Sequence, residues 1–290
     1  MAGEEYARVY SWGNDPERKI VAERYSDGNL FCLGNTVHCH PPLNGLGSNT
    51  CIQDAFNLAW KIANVHRGFA GAELLSTYST ERQPVGAGIV ARANQAFRDH
   101  QPIWAALGML ETSLDERERA LRELRTEMGQ RYTGVGIFTA DEGGAFVPAG
   151  KVAEEAVLYH EASTYPGCRL PHVRLNRSIP GEPVSTIDLA GHREFTPFTG
   201  VGGDAWREAA EIVAEKLRIP MLAHSIGFGV HQDWADLYFD RARMRGVQES
   251  GAVLVRPDRF VAWGADGVLG GVEECEGRLT GVMKSVLCLH

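Results

Sequence analysis

Two histidines and a glycine-rich loop near the start of the chain are the residues best suited to chemistry. His38 and His40 flank Cys39, and a Pro-Pro pair then leads into the segment Gly45–Asn49. Imidazole titrates near neutral pH, so either histidine could act as a general acid or base. Backbone N–H groups at a helix start favour negative charge, so the loop could stabilise an enolate or phenolate as an oxyanion hole does. His38 and His40 are therefore the candidate catalytic residues, and the alternative for each is an ordinary loop position.

The same His38–Cys39–His40 run raises the question of a metal site, because imidazole and thiolate are good zinc ligands. Neighbours in an extended segment point to opposite faces, so only the two histidines would converge, and no second ligand pair follows at a suitable spacing. The six cysteines include no C-x-x-C pair and are too sparse for a disulfide framework. We predict no metal site and reduced cysteines.

The segment from Leu33 to Lys61 runs LGNTVHCHPPLNGLGSNTCIQDAFNLAWK. It resembles, nearly without gaps, the C-terminal flavin-binding motif of the FAD-dependent aromatic hydroxylases, the phenol and chlorophenol hydroxylase group. In that family the aspartate of the motif's G-D pair contacts the ribityl chain of FAD, while the Pro-Pro loop and the next helix start face the isoalloxazine ring. The resemblance implies ancestral flavin contacts, which could now bind substrate instead, at Asn35, Pro42, Gly45, Gly47, Ser48 and Asn49.

Asn35 stands where the family has its aspartate. An amide still donates and accepts hydrogen bonds, so this change weakens the flavin interpretation without abolishing it. The alternative is that Asn35 is simply a turn residue after Gly34.

The sequence contains no element of the kind that holds the ADP half of FAD. Such a site needs a G-x-G-x-x-G turn directly after a buried strand, so that the pyrophosphate lies on a helix N-terminus. The pairs at Gly45 and Gly227 both lack the third glycine, and the pair at Gly86 lies within a helical pattern. We therefore expect a truncated relative of the family that uses no cofactor, with FAD as the alternative.

Three functional hypotheses follow from these observations. The first is a cofactor-free acid–base enzyme that isomerises, dehydrates or cyclises a phenolic or polyketide-like small molecule. The second is a partial FAD-dependent hydroxylase that is completed by a partner chain, and the third is a non-catalytic partner that dimerises. A complete monooxygenase acting alone is the hypothesis that the sequence opposes most, because reductive activation of oxygen needs a flavin and a nicotinamide donor.

A short buried strand and long helices must position these residues. Thr50 with Gln53 gives a capping-box pattern, which predicts a helix from about Cys51 to His66. A second helix is expected to begin near Leu74 and to be kinked or restarted at Pro84.

The second half of the chain has its own pattern. Residues 129–150 are rich in Gly, Pro and Ala, which predicts a domain boundary. The segment Tyr165–His172 resembles the P-G-x-R-x-P-H segment of phenol hydroxylases, and residues 251–263 resemble their thioredoxin-like C-terminal domain, which serves packing and dimerisation. Independently of the family, the alternating strand and helix patterns predict an α/β arrangement. We predict an α/β (α+β) fold, with a remnant of a flavin-monooxygenase FAD domain over residues 1–140 and a thioredoxin-like domain over residues 141–290.

Composition limits the partners of the protein. The 290 residues are 44% hydrophobic, enough for one or two packed domains. The net charge of -8 without a basic block argues against nucleic acid or an anionic membrane, and the sequence has no apolar run of membrane-spanning length. We expect a cytoplasmic protein with a small-molecule substrate and no nucleic-acid or membrane partner. We also expect a homodimer, because a partial FAD domain would expose apolar surface.

Overall fold

The computed structural model describes residues 20–40, 46–98, 108–109, 113–117, 130–137, 162–178, 181–229, 231–268 and 270–289. Short strands and two long helices form the first half of the described chain, and a four-stranded sheet with helices forms the second half. Helix and strand therefore mix in both halves, and the predicted α/β class is confirmed.

Two small antiparallel sheets lie before the helices. Strand β1 (Ile20–Val21) pairs with β4 (His38–Cys39), and β2 (Ser26–Asp27) forms a hairpin with β3 (Leu30–Phe31). Tyr25, between the first two strands, is buried in a small aromatic core. These pairings fix the position from which the chain enters the first helix.

Helix α1 (Leu46–His66) begins more than one turn earlier than the sequence pattern predicts. The Thr50 hydroxyl donates to the carbonyl of Leu46 over 2.8 Å, as a threonine inside a helix does. The predicted capping box of Thr50 and Gln53 is therefore wrong, because residues 46–49 are already helical and Thr50 does not lie at the helix start.

Helix α2 (Thr77–Arg98) follows a short 3-10 turn at Ala72–Ser76 and continues through Pro84. Proline lacks the N–H that would bond to the carbonyl of Thr80. Both residues are exposed, so water can satisfy that carbonyl and the helix is not interrupted. The predicted restart at Pro84 does not occur.

The second half contains a sheet in which β7 (Thr196–Thr199) and β8 (His224–Ser225) are parallel, whereas β9 (Ala252–Val255) pairs antiparallel with both β7 and β10 (Val261–Ala265). One helix connects β7 to β8 and another follows β10, so strands and helices alternate here as the sequence predicts. Strands β9 and β10 are buried at every residue, which explains their apolar sequence without alternation. The two helices of this unit are α4 (Asp204–Leu217) and α6 (Val272–Val286).

Smaller elements complete the second half. Strand β5 (Arg174–Asn176) pairs with β6 (Pro183–Ser185), and the short helices α3 (Thr186–Leu189) and α5 (Asp240–Met244) follow in the chain. Ser185 caps α3, because its hydroxyl accepts from the N–H of Ile187.

One hydrophobic cluster contains residues from both halves. The rings of Trp60 on α1 and Phe195 before β7 meet edge to face with centroids 5.8 Å apart. Leu74 is completely buried in the same cluster as Trp206 and Trp263. The halves thus share a core, and the predicted division at residue 140, outside the described residues, stays a prediction.

None of the helices within the described ranges is long and apolar enough to cross a membrane.

Candidate functional site

Asp54 lies at the centre of a buried polar group, the turn cluster, which it forms with Gly34, His38 and Arg82. The Gly34 N–H donates to Oδ2 of Asp54 over 3.0 Å, and Nε2 of His38 lies 2.8 Å from the same oxygen. Nε of Arg82 donates to Oδ1 of Asp54 over 2.7 Å. The side chains of His38, Asp54 and Arg82 are completely buried. Asp54 therefore ties together the turn before β4, β4 itself, α1 and α2.

The neighbours of Asp54 keep its carboxylate ionised. Burial alone would raise the pKa of Asp54, but the hydrogen bond with His38 and the charge of Arg82 outweigh burial and lower it. An ionised carboxylate only accepts hydrogen bonds, so Nε2 of His38 carries the shared proton. The other ring nitrogen, Nδ1, has no partner among the described residues.

An exposed edge lies next to the turn cluster. Asn35 is exposed in the 3-10 turn Gly34–Thr36, and its Oδ1 lies 3.9 Å from Sγ of Cys51. Cys51 follows the first turn of α1, in which Ser48 and Asn49 are exposed and no residue is acidic. Because helix-start N–H groups favour negative charge, this edge suits a polar ligand with electron-rich oxygen or nitrogen atoms.

The close approach of Gly34 to α1 requires a glycine. Its φ is +65°, a conformation that side chains other than glycine rarely adopt. A Cβ at this position would lie 2.8 Å from Sγ of Cys51. The turn that presents Asn35 is therefore set both by the backbone of Gly34 and by the Asp54 carboxylate.

The structure separates the two candidate histidines. His38 faces Asp54 in the core, whereas the ring of His40 lies beside the start of α1: a Cβ at Gly47 would lie 3.6 Å from Cε1 of His40. Of the other predicted contacts, Ser48 and Asn49 are exposed in the first turn of α1, and residues 42 and 45 lie outside the described residues. A catalytic role for either histidine stays a prediction.

A second buried polar group, the interdomain cluster, consists of Asn57, Lys61, Glu81, Arg256 and Asp258. Oε2 of Glu81 accepts from Nδ2 of Asn57 over 2.7 Å and from Nζ of Lys61 over 2.8 Å. Both Nη atoms of Arg256 donate to Glu81, over 2.6 and 2.8 Å. Asp258 accepts from Nε of Arg256 over 3.0 Å and from Asn57 over 3.1 Å. The cluster joins α1 and α2 to the turn between β9 and β10.

Burial and opposite charges compete in setting the pKa values of Glu81, Lys61 and Arg256. Burial alone would raise the pKa of Glu81, but Arg256 and Lys61 outweigh it and lower the pKa to about 2. Burial lowers the pKa of Lys61 to about 8, although Glu81 opposes that change. The pKa of Arg256 lies well above its ordinary value, because Asp258 and Glu81 outweigh the effect of burial.

Most of these polar residues were not predicted as site residues from the sequence. In the sequence, Asp54 is an acidic residue near a helix start, where a carboxylate suits the helix dipole whether or not it has any other role. A signal was present, because Asp54, Asn57 and Lys61 recur at helical spacing on one face of α1. Polar residues in such a stripe would suit a solvated face equally well, so the pattern alone does not reveal burial.

The His38–Cys39–His40 run does not gather further metal ligands. In the ranges that the structure describes, no three side chains of His, Cys, Asp or Glu are grouped so that they could hold a metal ion.

Known proteins resemble both halves of the chain. Residues 7–93 match the family model described as FAD binding domain, and residues 163–287 match the model described as aromatic-ring hydroxylase, C-terminal. The chain is 42% identical to 2,4-dichlorophenol 6-monooxygenase of Delftia acidovorans, over 93% of this chain and 49% of that protein. It is 40% identical to phenol 2-monooxygenase of Pseudomonas sp. strain EST1001, over 90% of this chain and 46% of that protein.

A solved structure supports the same relationship. The crystal structure of the flavin-dependent monooxygenase PieE in complex with FAD and substrate superposes with a TM-score of 0.76 at 36% identity. The match covers 94% of this chain and 50% of that one. The chain thus spans about half the length of the relatives that it matches.

These matches correct the expectation that the chain uses no cofactor. The FAD-binding model includes the Asn35 turn and the start of α1, and PieE was crystallised with FAD. The residues of the exposed edge fit the ring and ribityl part of FAD, because they combine an exposed amide with a helix start that lacks acidic residues. The prediction was wrong because the ring and the ADP half of the cofactor are bound by different segments, so the lack of one glycine motif does not exclude the other contacts.

Proposed function

Because the chain belongs to the FAD-dependent aromatic hydroxylases, we propose that it forms the flavin-ring side of the active site of a monooxygenase for a phenolic or polyketide-like compound. The observation that carries this proposal is the exposed edge formed by the Asn35 turn and the start of α1. Two relatives are named for phenol and 2,4-dichlorophenol, which supports the phenolic substrate class.

The residues of the exposed edge have distinct roles in this proposal. The N–H groups that begin α1 stabilise negative charge on the flavin ring, and the Asn35 amide hydrogen-bonds the ribityl chain. His40, beside Gly47, is the histidine placed to contact the ring or the substrate, and His38 supports β4 through Asp54. Bound FAD supplies the reductive activation of oxygen that hydroxylation requires.

The ADP half of FAD is bound through a different kind of sequence element from the one described above. The 290 residues contain no G-x-G-x-x-G turn, so we propose that another polypeptide segment provides the pyrophosphate site. The second sequence hypothesis, a hydroxylase completed by a partner chain, thereby replaces the cofactor-free enzyme in this proposal.

A homodimer is also part of the proposal. The rings of Phe228 and Phe239 lie 5.0 Å apart, and both side chains are more than half exposed. Adjacent exposed aromatic rings are typical of surfaces that bind another protein.

Flavin titration tests the proposed site. Purified protein is titrated with FAD and with lumiflavin, which has the ring without the ADP half, while flavin absorption and fluorescence are recorded. We expect both to bind, because the contacts concern the ring. Gly47→Val is expected to weaken binding by about tenfold or more, since a branched side chain crowds His40 and the helix-start donors.

Gly47→Ala is the matched control for this experiment. Its added methyl group would lie at ordinary contact distance from His40, so we expect binding within about twofold of the parent protein. Unchanged spectra of both flavins at saturating protein concentration would contradict the proposal.

A further inference from the structure

Two consecutive residues of α2 connect the turn cluster to the interdomain cluster. Glu81 accepts from Arg256 of the second half, and Arg82 donates to Asp54 beneath the Asn35 turn. Successive helix residues differ in direction by about 100°, so one turn of α2 can serve both clusters. The chain of contacts therefore runs from the β9–β10 turn through α2 to the backbone of Gly34.

Two further links run parallel to this one. On α1, Asn57 contacts both Glu81 and Asp258, one turn after Asp54. Tyr132 also contacts both clusters: its hydroxyl accepts from Nη1 of Arg82 over 3.1 Å, and its ring lies 5.3 Å from Cζ of Arg256. The clusters are thus connected by α2, by α1 and by an aromatic ring.

The charges of the combined network balance. Three carboxylates face three cations, namely Asp54, Glu81 and Asp258 with Lys61, Arg82 and Arg256. Buried charges of this kind tolerate few alternative arrangements, because a displaced partner leaves an uncompensated charge in a medium of low dielectric constant. A shift of Arg256 is therefore transmitted to Glu81 and its neighbours instead of being absorbed by solvent.

We propose that the second half of the chain sets the position of the Gly34–Asn35 turn through this network, with Arg256 and Asp258 as positioning residues for the flavin-facing edge. The effect on flavin binding rests on the proposed function. The control of the turn by residues more than two hundred positions away does not, because it is a property of the protein without any ligand.

Hydrogen exchange at the Gly34 amide tests the coupling in flavin-free protein. This N–H donates to Asp54, so its exchange rate reports opening of the turn. Asp258→Asn removes one charge from the network at nearly unchanged volume. We expect the Gly34 amide to exchange about tenfold faster or more in this variant, and the NMR resonances of the His38 ring to shift.

Two further variants distinguish coupling through the network from a general loss of stability. Arg256→Lys keeps the charge but loses the two-pronged contact with Glu81, so it is expected to fold and to accelerate Gly34 exchange less than Asp258→Asn does. Val253→Ala removes buried apolar volume from a cluster confined to the second half. It is expected to lower stability without changing Gly34 exchange under native conditions.

The two possible failures can be told apart. Gly34 exchange within about twofold of the parent in both Asp258→Asn and Arg256→Lys would overturn the coupling, as would equal acceleration by Val253→Ala. FAD affinity is measured separately on the same proteins, and we expect it to fall by about tenfold in Asp258→Asn. Absence of flavin binding in the parent protein would overturn the proposed function, whereas the exchange result would still decide the coupling.

Discussion

Buried carboxylates in this protein act on two different kinds of partner. Asp54 binds the backbone of Gly34, and Glu81 binds the guanidinium of Arg256 from the other half of the chain. Removing one partner of a buried ion pair is strongly destabilising, although the intact pair contributes little more than an apolar replacement would. Such residues therefore specify geometry more than they increase stability, which agrees with the position of Asp54 beneath the Asn35 turn and of Glu81 between the two halves of the chain.

The substitution Glu81→Gln is expected to change the pH dependence of the free energy of unfolding. The folded pKa of Glu81 is lowered from 4.5 to about 2, so its ionised form stabilises the fold at pH above 4.5. This contribution is lost as the pH falls from about 4.5 to about 2. Urea unfolding at a series of pH values should show a smaller decline over this range in Glu81→Gln, although the variant is less stable at neutral pH.

Glu276→Gln is the surface control for that series. Glu276 pairs with the exposed Lys216, where solvent screens the charge. Hydrogen bonds from Lys216 and Thr280 lower the pKa of Glu276, so we expect the curve of Glu276→Gln to decline slightly less than that of the parent protein, with a much smaller difference than in Glu81→Gln. A curve for Glu81→Gln that runs parallel to that of the parent protein would show that the Glu81 carboxylate is not stabilised by its cations.

The helix starts of this protein are defined in different ways. At α3, Ser185 caps the helix: its hydroxyl accepts from Ile187, and Asp188 accepts from the N–H of Ser185. At α1 the first turn lies at the exposed edge, and Thr50 is an internal residue whose hydroxyl bonds back to Leu46. The first turn of α1 contains no acidic residue and its Ser48 and Asn49 are exposed, which suits the role that we propose for this end as a binding site.

The different positions of Ser185 and Thr50 relative to their helix starts predict unequal effects of removing the two hydroxyl groups. Ser185→Ala should lower the free energy of unfolding by about 1 kcal/mol, the usual cost of a lost N-cap. Thr50→Val should cost less, because its hydroxyl bond is additional to the backbone bonds of the helix. Urea unfolding of both variants measures the difference. A larger loss in Thr50→Val would indicate that α1 begins at Thr50 after all.

The molecule as a whole is held together by a core that both halves share. Trp60 and Leu74 pack in one cluster with residues of α4, β10 and α6. The interdomain cluster lies near this core, since Cζ of Arg256 is 5.1 Å from the Trp60 ring. The two halves are therefore physically coupled, whatever the position of the boundary in the sequence.

The whole molecule is proposed to be a homodimer. Size-exclusion chromatography with light scattering should therefore give about twice the monomer mass of 31.8 kDa. Phe228→Ser combined with Phe239→Asn should give monomers, because the exposed ring pair is removed. Asparagine suits position 239, where φ is +56°.

Ile62→Ser, at a half-exposed position on α1, is the control and should leave the dimer intact. A parent protein of 31.8 kDa at every concentration would disprove the dimer.

The sequence by itself determined the family and the α/β class. These depend on local patterns: a long motif from Leu33 to Lys61, apolar runs that form buried strands, and helices of recognisable period. Element boundaries were less secure, as the start of α1 shows. The sequence pattern of a threonine followed three residues later by glutamine does not show whether the threonine caps a helix or lies inside one.

Only the tertiary structure decided what the polar residues do. Arg256 and Glu81 are 175 positions apart, and no local pattern relates them. Asp54 was visible as an acidic helix residue, but its burial and its bonds to Gly34, His38 and Arg82 depend on how β4, α1 and α2 pack. A buried charge is tolerated only where folding brings its partners into contact, so its role is a property of the packed chain and not of the segment that carries it.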